Sequence, residues 1–301
     1  MKNEGRVVPA TVRFLVALAV LGAVCAGCGA VVPTGRFDAL ADASRGVEAL
    51  TVQTDADFVR LTRRFMTFSP APGPYRADSF APIVEVGGTR VDFDFGPRLE
   101  PRQAALGALA AYTEALAAFA RKDYQGELDQ ATQSLGASVQ QLASHASASA
   151  AAKQGAGVLA TVVNGLGHAV TERMRRNTLR KAMDDAAPGV TAIVAFVKEI
   201  NGLAATAATT MRDQVIRKAN GLTVADGPAR LQLNGAVEGM IGDSNAILAQ
   251  LKQGSAAADA VVPAHAEIRA ALDHDDRAVL EKLQALVAEV KRLQRINNSL
   301  K

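Results

Sequence analysis

Apolar residues recur at helical spacing along most of this 301-residue chain. Phe37, Leu40, Val47 and Leu50 predict a helix from Arg36, and Thr54 with Asp57 three residues on reads as a capping arrangement that restarts it. Phe58, Leu61, Phe65 and Phe68 then share one face, until the prolines of Ser69–Pro74 remove backbone donors and end the run. After Pro101 everything reads as helix. Leu106, Leu109, Tyr112, Leu116 and Phe119 form one stripe, and Leu128, Ala131, Leu135, Val139 and Leu142 form the next. A third helix is expected from about Ser149 to Met183. A fourth has Pro188 in its first turn and runs through Ile193, Val197, Ile200, Met211 and Val215 to Asn220-Gly221. A fifth carries Leu233, Val237, Met240, Ile247 and Leu251 and is broken near Pro263. The last carries Val279, Leu283, Leu286, Val290, Leu293 and Ile296, with acidic residues early and basic residues late, as the helix dipole favours.

One segment has period two instead. Ile83 to Phe95 alternates around Gly87-Gly88, a dipeptide suited to a two-residue turn, which predicts a β-hairpin over residues 83–95 with Glu85 opposite Arg90. The expected fold is therefore mainly α: an elongated antiparallel bundle of long helices with near-heptad spacing over residues 101–301. A small mixed segment over 36–100, containing the hairpin, precedes it. With aromatics at 4% and no Trp, the core must be built from Ala, Leu, Val and Ile, whose small side chains favour helix on helix.

The first 35 residues carry a different signal. Basic residues Lys2, Arg6 and Arg13 precede an apolar run from Phe14 to Val24, the length of a signal-peptide core and short for a helix spanning ~30 Å of hydrocarbon. Val24-Cys25-Ala26-Gly27-Cys28 follows. This stretch resembles the lipobox of bacterial lipoproteins, with Ala26 and Gly27 at its two small positions and Cys28 at the modified cysteine. Cys25 stands where that family usually has Leu, and modification at Cys25 itself would put Val24 where a small residue is expected. The resemblance covers the leader alone. It implies a signal peptide over 1–27, a tether over 28–35, and palmitate-type acyl chains on Cys28 that anchor the body in a bilayer. More than one acyl chain is what stable anchoring requires. Gly29 after the cysteine implies the outer membrane, with the body outside the cytoplasm in the cell envelope, on the periplasmic face. Two alternatives stay open: an uncleaved membrane anchor, and ordinary cleavage after Ala30.

Charge and motifs narrow the function classes. Of 33 basic and 30 acidic residues, the leader takes Lys2, Arg6, Arg13 and Glu4, leaving a mature body at +1 and no electrostatic case for nucleic acid. Cysteine is absent after Cys28, so neither an internal disulfide nor a thiolate metal cluster is available. Gly155-Ala-Gly157 matches the letters of a dinucleotide fingerprint, but it follows helical sequence, and Arg175 and Arg176 stand where the ribose-binding acid belongs. His265 and His274 lie near carboxylates at spacings that do not share a helix face, and read as solvated residues at helix ends. The expectation is a protein without catalysis, metal or cofactor, acting as a scaffold or protein-interaction module with an envelope protein as partner. One alternative is a membrane-active, pore-former-like helical protein using residues 155–197, where apolar stretches flank the basic cluster Arg173, Arg175, Arg176, Arg180 and Lys181. There the bland reading is a buried central bundle helix ending in a solvated basic turn. Another alternative is a hydrolase or ligand-binding lipoprotein with a site assembled only in space.

Overall fold

The computed structural model describes residues 32–68, 83–86, 89–92, 96–121, 124–167, 171–221, 227–273 and 277–299. Among them the fold is mainly α, a bundle of seven helices. These are α1 (Thr34–Phe68), α2 (Gly96–Ala120), α3 (Gln125–Ser144), α4 (Ala150–Asn164), α5 (Glu172–Gly221), α6 (Pro228–Ala271) and α7 (Arg277–Ser299). The leader and Cys28 lie outside the described residues.

The centre of the bundle is α2, not the 155–170 stretch. Its Leu stripe is flanked on every side by alanine, so the helix is apolar all round and buries nearly its whole circumference. Ala105, Ala108, Leu109, Tyr112, Ala115, Leu116 and Phe119 are all inaccessible or nearly so. It packs against α1, α3, α4 and α5. Around it the long helices run antiparallel. In the α5–α6 pair, Asp184 meets Arg269, Lys198 meets Asp259, Asn201 meets Ser255 and Arg212 meets Asn245, so one number falls as the other rises. The Phe-bearing helix α1 joins this same core, where Phe37, Phe58 and Phe65 cluster with residues of α2, α5, α6 and α7.

Several helix ends differ from expectation, each for a local reason. No break occurs at Thr54: its hydroxyl donates to the Leu50 carbonyl at 2.8 Å inside a continuous α1. The helix expected from Ser149 to Met183 stops at Asn164, because Gly165 and Gly167 follow and Gly167 adopts φ +56°, a conformation that glycine takes without a steric penalty. Ser149 caps its start by accepting from the Ala152 amide at 3.1 Å. Helix α5 then begins at Glu172, behind a Thr171 hydroxyl that accepts from the Met174 amide at 3.2 Å, and passes straight through Pro188. Pro263 likewise sits inside α6 and does not end it. A proline in a helix interior costs ~3 kcal/mol or more; both prolines are exposed, and burial of their neighbours Ala186 and Val190 in α5 and Val261 and Ala264 in α6 holds the helices continuous.

The expected hairpin over 83–95 is not supported as an element of this fold. Ile83–Val86 and Thr89–Asp92 are described as a two-stranded pair that no helix contacts, and Gly87, Gly88 and 93–95 lie outside the described residues.

Candidate functional site: a buried polar spine, a basic end and a groove

Arg102 enters α2 at the start of its buried stretch and is 1% exposed. Its guanidinium ion-pairs with Asp55 of α1 and donates to the Asn201 amide oxygen of α5. Gln103 donates to the other Asp55 oxygen at 2.7 Å. Asn201 in turn donates to Ser255 of α6 at 2.9 Å, whose hydroxyl donates to the Leu251 carbonyl at 2.9 Å. One continuous polar chain thus ties four helices together through the core. Burial pulls the Arg102 guanidinium down from its usual value to about 9, so it keeps its charge at neutral pH. Removing either ion would leave the other uncompensated in an apolar interior.

Further along α2, the Tyr112 hydroxyl lies 2.8 Å from His265 Nε2 of α6, with the rings 5.8 Å apart. His265 is not a solvated helix-end residue: it is 3% exposed, inside α6. Burial lowers its pKa from 6.5 to about 4, against a smaller opposing pull from the Asp184 charge, and burial raises Tyr112 well above its usual value. The imidazole is therefore neutral at pH 7, and one hydrogen bond joins it to the protonated phenol, its direction set by the imidazole tautomer. His145, at the C-cap of α3, is 3.8 Å from Glu100, and His168 and His274 lie outside the described residues. Among the described residues no group of three or more His, Cys, Asp or Glu side chains converges as a metal site.

The basic cluster does gather at one end of the bundle, yet most of it is turned inward. Arg175 is buried, with its guanidinium 5.7 Å from the Tyr124 ring centroid and 2.9 Å from Glu172. Arg176 donates to the Leu272 carbonyl at the end of α6, and Arg180 pairs with Asp273. Lys181 reaches Asp185 at 2.6 Å across one turn, and Arg173 is exposed. Arg175, Arg176 and Arg180 fasten the start of α5 to the α2–α3 junction and to the end of α6.

Helices α4 and α5 cross by backbone contact. A Cβ on Gly189 would stand 2.7 Å from the Gly155 carbonyl, and one on Gly155 would stand 3.0 Å from the Gly189 carbonyl. Of the fingerprint-like stretch, Gly155 thus serves a helix crossing, while a Cβ on Gly157 would meet nothing within 4 Å. Beyond the crossing an open groove of about 1010 Å³ lies between the two helices. Its α4 wall is Gln154, Gly157, Val158, Thr161 and Val162, all on one helical face. Its α5 wall includes Asn177, Lys181 and Asp185, so the floor is small and apolar and the rim polar.

Among the described residues one helix, α5, contains an 18-residue window long and apolar enough to cross a membrane, and half of that window is buried within the bundle. On the last helix, Leu283 and Val290 are buried while Leu286 and Val287 pack partly against the core, so these apolar positions face inward.

No protein-family model matches the chain, and neither a characterised protein nor a solved structure matches it.

Proposed function

We propose that this chain is a lipid-anchored, non-catalytic scaffold of the bacterial cell envelope. Acylated Cys28 holds it at the periplasmic face of the outer membrane, and the helical body presents its faces to another envelope protein. The observation that carries the scaffold reading is the polar spine. Asp55, Arg102, Asn201 and Ser255 engage one another across four helices, an arrangement that fixes helix register and makes a rigid body. His265 belongs to the same logic, bonded to Tyr112 in the core instead of facing a cleft. The test is crosslinking in cells followed by identification of the captured protein, alongside acyl labelling. Cys28→Ser is expected to abolish labelling, while Cys25→Ser leaves it intact. Labelling that survives Cys28→Ser would remove the anchor, and capture of no specific partner would remove the scaffold.

The α4–α5 groove favours a second reading, a ligand-binding lipoprotein, since its volume suits a small amphiphile. Val158→Arg would place a charge on the apolar floor and is expected to abolish binding of an apolar reporter dye there. The membrane-inserting alternative has less support. Freeing 155–197 means breaking the Arg176 and Arg180 contacts to Leu272 and Asp273 and exposing the buried Ile193 and Val197. No leakage of dye from vesicles is expected of the unlipidated body.

A further inference from the structure

Which end of a lipid-anchored rod faces the bilayer depends on where the tether enters, and here the entry point is tightly defined. Val32 is already buried, and α1 begins two residues later. Only residues 29–31 separate Cys28 from Val32, four Cα-to-Cα steps that reach at most about 14 Å when fully extended. A chain of contacts ties this entry point to the start of α5. Asp38 in the second turn of α1 meets Arg121 at 2.7 Å; Phe119 stacks edge-on against Tyr124, and Arg175 lies over the Tyr124 ring. Arg176 and Arg180 bring in Leu272 and Asp273 from the end of α6. The starts of α1 and α5 and the close of α6 therefore form one end of the bundle.

The opposite end is as clearly marked. Arg64, near the close of α1, meets Asp243, yet α6 began 15 residues earlier at Pro228. The first turns of α6 and the last of α5 thus run past α1, and Leu231 there is 74% exposed. The contour of α6 between the two ends is about 66 Å at 1.5 Å per residue.

We propose that the bundle meets the bilayer holding its anchor through the end where α1 and α5 begin. Arg173 and Met174 lie against the lipid headgroups, and the α5–α6 hairpin is held at the far end. This rests on the anchoring of Cys28. Arg173 and Met174 are adjacent, exposed and on the first turn of α5, a cation beside a flexible apolar side chain, Met174 being 49% exposed. That pairing suits the boundary between phosphate and acyl chain. Along the flanks Arg45–Asp42, Arg60–Asp57, Arg64–Asp243 and Lys198–Asp259 are ion pairs of balanced sign, so these charges do not draw the rod down sideways.

The mature chain makes the test simple, because acylation consumes the thiol of Cys28 and the body has no other. Met174→Cys and Leu231→Cys each give one free thiol for a fluorophore. The lipidated proteins are reconstituted in vesicles of phosphatidylethanolamine and phosphatidylglycerol carrying a headgroup-attached quencher. Quenching at 174 at least threefold stronger than at 231 is expected. Equal quenching, as from a rod lying flat, or stronger quenching at 231, would overturn the orientation. Flotation separates this from the anchor: the body made without its leader and acyl chains must fail to float with vesicles. If it floats like the acylated chain, the anchor reading fails; if the acylated chain floats but its 174 probe is unquenched, the orientation alone fails.

Discussion

Acid should loosen this bundle through one residue. His265 has a pKa of about 4 in the folded protein and about 6.5 in an unfolded chain. Between those values the unfolded state binds the proton and the native state does not, so stability rises with pH across the window and is lost as pH falls through it. The full loss is about 3 kcal/mol, at ~1.4 kcal/mol per unit, and about 2 kcal/mol of it is reached by pH 5. Below about pH 4 both states are protonated and the loss stops growing. The assay is urea unfolding at pH 7 and pH 5 for the native sequence and for His265→Gln, whose amide still serves the Tyr112 hydroxyl but does not titrate. Carboxylates contribute equally to both proteins, so the difference of differences isolates the imidazole. The native sequence should lose about 2 kcal/mol more than His265→Gln. Asp184→Asn sharpens the test, since the Asp184 charge favours the imidazolium and removing it should widen the gap. If the native sequence and His265→Gln lose the same stability between pH 7 and pH 5, the buried, neutral His265 is wrong.

Other consequences concern the crossing and the spine. Gly189→Ala should cost on the order of 1–3 kcal/mol by forcing α4 off α5, because the new Cβ meets backbone at 2.7 Å. Gly157→Ala, with nothing within 4 Å of its Cβ, should gain up to ~1 kcal/mol from helix propensity; thermal melts of the two variants read opposite signs. Arg102→Met should destabilise by about 3–5 kcal/mol by stranding Asp55, and adding Asp55→Leu should restore a large part of that in a double-mutant cycle of urea midpoints. If the double variant is as unstable as the sum of the singles, the two residues do not form a pair.

How much of this was legible beforehand follows from what periodicity measures. A stripe of apolar residues reports which face is buried, so the helical class could be read directly from Leu106, Leu109, Leu116 and Phe119. It reports helix ends poorly, because ends depend on what the neighbours supply. Thr54 has the letters of a cap and is instead held in a continuous helix by its bond to Leu50 and by the packing around it. Pro188 and Pro263 are helix breakers by propensity that tertiary contacts override. The centre was misplaced for a related reason: the apolar run at 155–170 reads as more hydrophobic than α2, but burial on all sides needs small residues all round, and alanine supplies them in α2.

The polar spine left a trace that apolar periodicity discards. Arg102 lies four residues before Leu106, Asp55 three before Phe58, and Asn201 four after Val197, each on the buried stripe of its own helix. A charge at a core position of one helix predicts a partner at a core position of another, since an unpaired buried ion costs several kcal/mol. Sequence therefore indicates that such a partner exists without saying which of the other stripes carries it. That choice is made by packing: only when α1 and α5 both lie along α2 do Asp55 and Asn201 arrive at the same guanidinium. The exposed residues obey no comparable rule. Arg173 and Arg175 look alike in a basic run, and a two-residue offset, more than half a turn, sends Arg175 into the core over Tyr124 and leaves Arg173 outside. A residue's place on the helix, more than its type, decides whether a charge belongs to the bundle or to what the bundle meets.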